Sequence, residues 1–114
     1  MTQITNDPDK IAEVRERTRK EGNPKQEIIA VLWDHGADQP KNPRWYENIK
    51  MAERSLIATM ANKDDLIAHY PEDFSIIQVA NYDPVSGEVT PVSHKTIITG
   101  AQAMKQFKIQ QEKE

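Results

Sequence analysis

The most informative part of the chain runs from Tyr70 to Gly87 and reads YPEDFSIIQVANYDPVSG. Pro71 has a fixed φ and no backbone N–H, so a helix cannot continue through it. The segment Phe74–Tyr82 is rich in β-branched and aromatic side chains, which favour strands. The residues that follow, Asp83–Gly87, combine Asp, Pro, Ser and Gly, which are typical of tight turns. The pattern therefore predicts a strand that folds back at a hairpin loop and pairs with the chain from Glu88 onward.

Two further segments complete the predicted core. Glu27–Asp34 carries a short continuous apolar run bounded by polar residues, as expected for a buried strand. Asn42 to Asn62 reads as the principal helix, with Pro43 in its first turn. Its apolar residues recur at helical spacing and predict one buried stripe. That stripe consists of Trp45, Ile49, Ala52, Leu56 and Met60.

The segments after the hairpin loop extend the sheet. Val89–Val92 and Thr96–Ile98 read as strand, and Pro91 confines its strand to an edge or interrupts it. The fold class we expect is α+β: a small, mostly antiparallel sheet of three to four strands with one principal helix packed on it. One helix covers only one face of a sheet with two apolar faces. We therefore expect the second face or an edge to be buried in a homo-oligomer.

The chain divides into three parts by composition. Residues 1–26 are polar and form an N-terminal arm, either a solvated helix or a disordered segment, and residues 27–98 form a single α+β domain. Residues 99–114 begin with a short amphipathic segment, Ala101–Gln110, and end in a tail that we expect to be disordered after Lys108. Arginines at positions 15, 17 and 19 raise the alternative that the arm binds phosphate.

Composition excludes several classes of protein. The formal net charge is −3, and residues 61–94 hold one basic and six acidic side chains, so a non-specific nucleic-acid coat is disfavoured. There is no cysteine, and therefore neither a disulfide nor a thiolate site. The longest apolar run has six residues, whereas a membrane helix needs about 20. The first residues lack the features of a signal peptide, so we expect a protein that stays in the cytoplasm.

One constellation has the composition of a single-stranded nucleic-acid site. Cations beside exposed aromatic rings bind such strands by phosphate pairing and base stacking. The segment Lys41–Tyr46 has this composition, and two cations continue it along the predicted helix. Trp45 belongs to the apolar stripe and is expected in the core, which leaves Tyr46 as the free ring. The candidate nucleic-acid-binding residues are Lys41, Arg44, Tyr46, Lys50 and Arg54.

The sequence gives little support for a catalytic site or a metal site. The three histidines never occur at ligand spacing, although His35 with Asp34 and Asp38, or His69 with Glu72 and Asp73, would resemble metal half-sites. The acidic residues Asp64, Asp65, Glu72 and Asp73 are expected to cap and solubilise a loop rather than act in acid–base catalysis. We therefore expect no catalytic residue, no metal and no cofactor.

The Tyr70–Gly87 block also carries a family resemblance. Its Pro-Glu-Asp-aromatic start, its apolar strand and its aromatic-Asp-x-x-Ser-Gly end resemble the small nonstructural protein of microviruses, the tailless single-stranded DNA phages. The likeness extends upstream to Glu27–Asp34 and to Ala52–Leu56, and spans about Glu27 to Ile98. Tyr70 stands where that family usually has His, and Ala80–Asp83 departs from its usual strand end.

The resemblance implies a non-enzymatic accessory protein that acts in the bacterial host cytoplasm during viral DNA replication or single-strand synthesis. Its expected partners are single-stranded DNA and a phage or host replication protein. The alternative is a homo-oligomeric interaction or assembly adaptor without nucleic-acid contact, to which the acidic middle of the chain would attract a basic partner. A small hydrolase built on the acidic residues is the third reading.

Overall fold

The computed structural model describes residues 26–113. The predicted N-terminal arm, apart from Gln26, lies outside the described residues. Within this range, four strands and three helices follow one another along the chain. They are β1 (Glu27–Asp34), β2 (Gln39–Tyr46), α1 (Ile49–Thr59), α2 (Leu66–His69), a 3₁₀ turn (Pro71–Asp73), β3 (Phe74–Tyr82), β4 (Val89–Thr99) and α3 (Gly100–Glu112).

The strands form one antiparallel sheet in the order β2-β1-β3-β4. The predicted α+β fold is therefore confirmed, and β1 pairs with β3 in antiparallel orientation. The predicted strand Phe74–Tyr82 matches β3 at both ends. The two segments predicted after the hairpin loop form one continuous strand, β4. It lies at an edge of the sheet, where Pro91 costs no ladder hydrogen bond on its outer side.

The hairpin loop between β3 and β4 is closed by Asp83. Its Oδ1 accepts hydrogen bonds from the backbone N–H of Val85 (2.8 Å) and Ser86 (3.3 Å), and its carbonyl accepts from Gly87 N–H (2.7 Å). Gly87 has a φ of +76°, a conformation that side chains with a Cβ rarely adopt. The turn chemistry expected of Asp83 and Gly87 is confirmed.

The predicted helix Asn42–Asn62 is wrong in its first part. Gln39–Tyr46 pairs with β1 as an edge strand, and an edge strand tolerates Pro40 and Pro43 because one side of it needs no N–H donors. The register shifts between Ala30 and Leu32, and Asn42, which lies in β2 at this irregularity, has a φ of +49°. The helix begins at Ile49. Asn48 is its N-cap, and the Asn48 Oδ1 accepts a hydrogen bond from Met51 N–H at 2.9 Å.

The core lies between the sheet and the helices. Of the predicted apolar stripe, Ala52, Leu56 and Met60 are buried, whereas Ile49 is 40% and Trp45 55% exposed. Strand and helix residues meet in a single buried cluster, and side chains of α2 and α3 pack against it. The cluster comprises Ile28, Ala30, Ala52, Leu56, Met60, Ile76, Ile98 and Ala103.

The chain after β4 turns directly into α3. Thr99 caps this helix with a reciprocal pair of hydrogen bonds: its Oγ1 accepts from Gln102 N–H (3.1 Å) and its own N–H donates to Gln102 Oε1 (2.9 Å). The helix continues to Glu112, past Lys108, so the disordered tail expected from that residue onward is helical here. Ala103 is fully buried against the core, which explains why the helix docks.

Candidate nucleic-acid interface

The edge strand β2 positions three of the five candidate residues. Successive side chains of a strand point to opposite faces, so Tyr46 and Trp45 must diverge. Tyr46 pairs with Ile28, a core residue, whereas Trp45 pairs with Ile29. The strand register therefore sends Tyr46 towards the helices and Trp45 to the opposite face of the sheet.

Tyr46 is half-buried and part of the core packing. Its hydroxyl accepts a hydrogen bond from Ser55 Oγ at 3.2 Å, and its ring packs against the buried cluster. Trp45, by contrast, leaves 55% of its surface exposed. The expectation that Trp45 is buried and Tyr46 is the free ring is wrong, because a strand alternates faces where the predicted helix would not. The two prolines in Gln39–Tyr46 were the signal in the sequence that an edge strand was the better reading.

Lys41 is engaged in an ion pair. Its Nζ lies 3.2 Å from Asp34 Oδ2 across the turn between β1 and β2. The pKa of Asp34 is held below its ordinary value chiefly by the hydrogen bond from Ala37 N–H, and further by Lys41 and by Gly36 N–H. Asp34 thus neutralises part of the charge that Lys41 would offer to a phosphate.

Arg44 is exposed, and no described residue forms an ion pair with it. It lines a cavity of about 190 Å³ between β2 and one flank of α1, together with Tyr46, Ser55 and Asp65. With respect to the described residues, Arg44 is therefore the candidate cation on β2 that has no ion-pair partner and can pair with a phosphate.

Lys50 and Arg54 lie on the other flank of α1. They line an open groove of about 590 Å³ between α1 and α3. The wall on α3 consists of Gln102, Gln106 and Gln110, which follow one another at one turn of helix. Because α1 stands between this groove and Arg44, the five candidate residues do not share one continuous groove.

Asp65, His35 and His94 have structural partners. Asp65 Oδ1 accepts from Ile67 N–H (2.8 Å) and caps α2. His35 Nε2 is 2.9 Å from Ser75 Oγ, and His94 contacts the edge of Trp33, with ring centroids 6.1 Å apart. The Trp33 side chain is half-buried. Within residues 26–113, no three His, Asp or Glu side chains come together as a potential metal site.

None of the helices formed by residues 26–113 combines the length and the apolar character that crossing a membrane requires.

No match to the chain was found among curated proteins or among solved structures. A family model described as Phage ORF5 protein matches residues 28–104, from the second residue of β1 into the first turns of α3. The match covers about two thirds of the chain and agrees with the phage resemblance of the Tyr70–Gly87 block. The chain therefore belongs to the Phage ORF5 protein family and is a phage protein.

Proposed function

We propose that this phage protein is a non-enzymatic accessory factor of viral DNA replication or single-strand synthesis, that it acts in the host cytoplasm, and that it binds single-stranded DNA. The microvirus resemblance of the Tyr70–Gly87 block supports the replication context. The observation that carries the binding is the exposure of Arg44 and Trp45 on opposite faces of the edge strand β2. Arg44 has no ion-pair partner among the described residues, and a DNA strand that contacts both side chains would pass around this edge of the sheet.

The pair supplies the two interactions that hold single strands without reading their sequence. A guanidinium pairs with phosphate oxygens, and an indole ring stacks on a base. Stacking contributes about 1–3 kcal/mol per base, and each phosphate contact adds about −0.7 to the slope of log affinity against log salt concentration. Lys41 stands near this pair with a charge that Asp34 partly offsets. Lys50 and Arg54 would act as a second, separate group of cations.

The test is a fluorescence anisotropy titration of a labelled dT oligonucleotide at several salt concentrations. The full chain should bind at low salt and lose affinity as salt rises. Arg44→Ala should weaken binding and flatten the salt slope, while Trp45→Ala should weaken binding with an unchanged slope. Lys63→Ala is the control, because it removes an exposed cation in the turn after α1. Absence of binding at low salt, or equal binding by all variants, contradicts the proposal.

A second candidate function is an assembly adaptor that associates with copies of itself. The sheet face opposite the helices supports it, because exposed Trp45 and Val89 lie on the same face as half-buried Ile29 and Ile77. Prolines in both edge strands disfavour pairing edge to edge, so association would use this face. Sedimentation velocity over a range of protein concentrations should then reveal an oligomer that Val89→Lys disrupts. A monomer at every concentration contradicts this alternative.

A further inference from the structure

A separate pocket of about 500 Å³ opens at the N-terminal end of α1, on the helix side of the sheet. Its lining has an unusual composition for a chain with 18 acidic residues, because the described residues that line it include no carboxylate. Two isoleucines form its apolar wall, and Lys50 supplies the one charge among these residues. Four carboxamide side chains complete it: Gln26, Asn48, Gln78 and Asn81. A volume of this size is within the range of small-molecule sites.

Gln78 is the buried polar group of this pocket, with 7% of its surface exposed. Its Nε2 donates to Ala80 O (3.3 Å) and to Asn81 Oδ1 (2.7 Å). Since the Ala80 carbonyl can only accept, the orientation of the Gln78 amide is fixed. Among the described residues none donates to Gln78 Oε1, and this oxygen is not sealed from solvent. Because Gln78 lines the pocket, this oxygen is an acceptor that the residue can offer to a ligand there.

Asn81 supplies the complementary donor. Its Oδ1 is occupied by Gln78, and no described residue accepts a hydrogen bond from its Nδ2. Gln78 and Asn81 thus present one acceptor and one donor next to each other. A nucleobase edge offers the matching donor and acceptor, which is why carboxamide side chains pair with bases.

The first turn of α1 supplies the groups that bind phosphate. Asn48 satisfies two of its backbone N–H groups, those of Met51 (2.9 Å) and Ala52 (3.3 Å). The N–H groups of Ile49 and Lys50 remain without an acceptor among the described residues. No acidic residue lies in this turn, so the positive end of the helix dipole and the Lys50 ammonium are available to an anion.

We infer that this pocket binds one nucleotide, with its base on Gln78 and Asn81 and its phosphate at the N-terminus of α1 beside Lys50. Ile28 and Ile49 contact the base or the sugar. The inference rests on the proposed function in that a single-stranded DNA chain is the source of this nucleotide. It goes beyond that function because it adds a site that reads the base, distinct from the sequence-independent pair on β2.

The test is a chemical-shift titration of the ¹⁵N-labelled full chain with each of the four deoxynucleoside 5′-monophosphates and with inorganic phosphate. At least one nucleotide should shift the Asn81 side-chain amide and the Ile49 and Lys50 backbone amides in a saturable manner. Phosphate alone should shift only the two backbone amides. Asn81→Ala should weaken nucleotide binding about tenfold, whereas Gln106→Ala, which removes an exposed carboxamide on α3, should not.

The outcomes separate the pocket from the proposed function. Unchanged Asn81 and α1 resonances with all four nucleotides would overturn the inference, even where the anisotropy titration supports strand binding. Saturable shifts without any oligonucleotide binding would support a site for free nucleotides and overturn the proposed strand binding. If both bind, Asn81→Ala should alter the preference among dA, dC, dG and dT oligonucleotides, and an unaltered preference would count against base reading.

Discussion

Gly100, the first residue of α3, packs directly on the backbone carbonyl of Pro71 in the 3₁₀ turn before β3. A Cβ built on Gly100 would overlap that carbonyl group and press on the carbonyl oxygen of Phe74. The contact ties the start of the last helix to the entry of the central strand β3. It explains why a residue without a side chain stands at the first position of a helix that is otherwise well capped.

Gly100→Ala is therefore expected to destabilise the fold. Backbone atoms cannot rotate away from the new methyl group, so α3 or the 3₁₀ turn must shift. We expect the free energy of unfolding to fall by about 3 kcal/mol, the upper part of the range for overpacked sites. Urea denaturation followed by circular dichroism measures it. Gly36→Ala is the control, since its Cβ would meet only the Asp34 side chain; equal loss in both variants would contradict the explanation.

The cap of α3 gives a second stability prediction. Thr99→Ala removes the hydroxyl that accepts from Gln102 N–H and leaves that donor without its partner. The expected loss is about 1 kcal/mol, as for other N-cap residues. Thr99→Ser keeps the hydroxyl and should retain most of the stability in the same urea titration. A serine variant as unstable as the alanine variant would assign the loss to the β4 pairing of Thr99 instead.

The sequence predicted an element correctly where its local chemistry and its burial pattern indicate the same structure. β1 and β3 are apolar runs whose ends coincide with polar or proline residues, and the Asp83–Gly87 turn has side chains that close it locally. These features depend on neighbours in sequence. The edge strand β2 does not depend on its neighbours in sequence in this way. Nearly all of its eight residues are exposed, and only pairing with β1 makes them a strand. Propensity and helical spacing around Trp45 therefore predicted a helix that starts seven residues too early.

The candidate site was affected by the same error. Lys41, Arg44 and Tyr46 were grouped with Lys50 and Arg54 on the assumption that one helix carried most of them. The structure places the first group on strand β2 and the second on α1, and α1 separates their surfaces. The pocket at the N-terminal end of α1 could not be predicted from the sequence. Its carboxamide residues Gln26, Asn48 and Gln78 come from distant segments of the chain that meet only in the folded structure.

Asp34 provides a pH-dependent prediction. Its pKa is lowered in the folded chain by Ala37 N–H, Lys41 and Gly36 N–H, from an ordinary value of 3.8. A carboxylate with a lowered pKa stabilises the fold fully above its unfolded pKa, and the contribution is lost as the pH falls through the folded pKa. The Asp34→Asn variant should therefore lose less stability than the parent chain as the pH falls from about 4 to about 2. This range lies around and below the ordinary pKa of an aspartate carboxyl group.

Urea denaturation at several pH values measures this difference, and Asp38→Asn is the control because it removes a carboxylate from the same turn. A carboxyl titration by NMR gives the pKa directly. Lys41→Ala should raise the Asp34 pKa only partly, since the Ala37 and Gly36 N–H groups remain. A pKa of Asp34 at or above 3.8 in the parent chain would contradict the hydrogen bonding described here.

The divergence of Trp45 and Tyr46 allows two adjacent residues to test stability and the proposed DNA binding separately. Tyr46→Phe deletes the hydroxyl that accepts from Ser55 Oγ. It should cost about 1 kcal/mol of stability, the usual contribution of one hydrogen bond, and leave oligonucleotide affinity unchanged. Trp45→Ala should do the reverse: its ring is 55% exposed, so stability changes little, while the loss of base stacking weakens binding by about 1–3 kcal/mol.

Thermal unfolding and the anisotropy titration, applied to both variants, decide between the two rings. Trp45→Phe adds a useful third variant, because a smaller ring still stacks and should retain much of the affinity. If Tyr46→Phe weakens oligonucleotide binding and Trp45→Ala does not, the DNA strand enters the cavity between β2 and α1. The stacking surface then lies on the helix side of β2. If Trp45→Ala instead unfolds the chain, the sheet face opposite the helices is part of the packed structure, as an oligomeric interface would require.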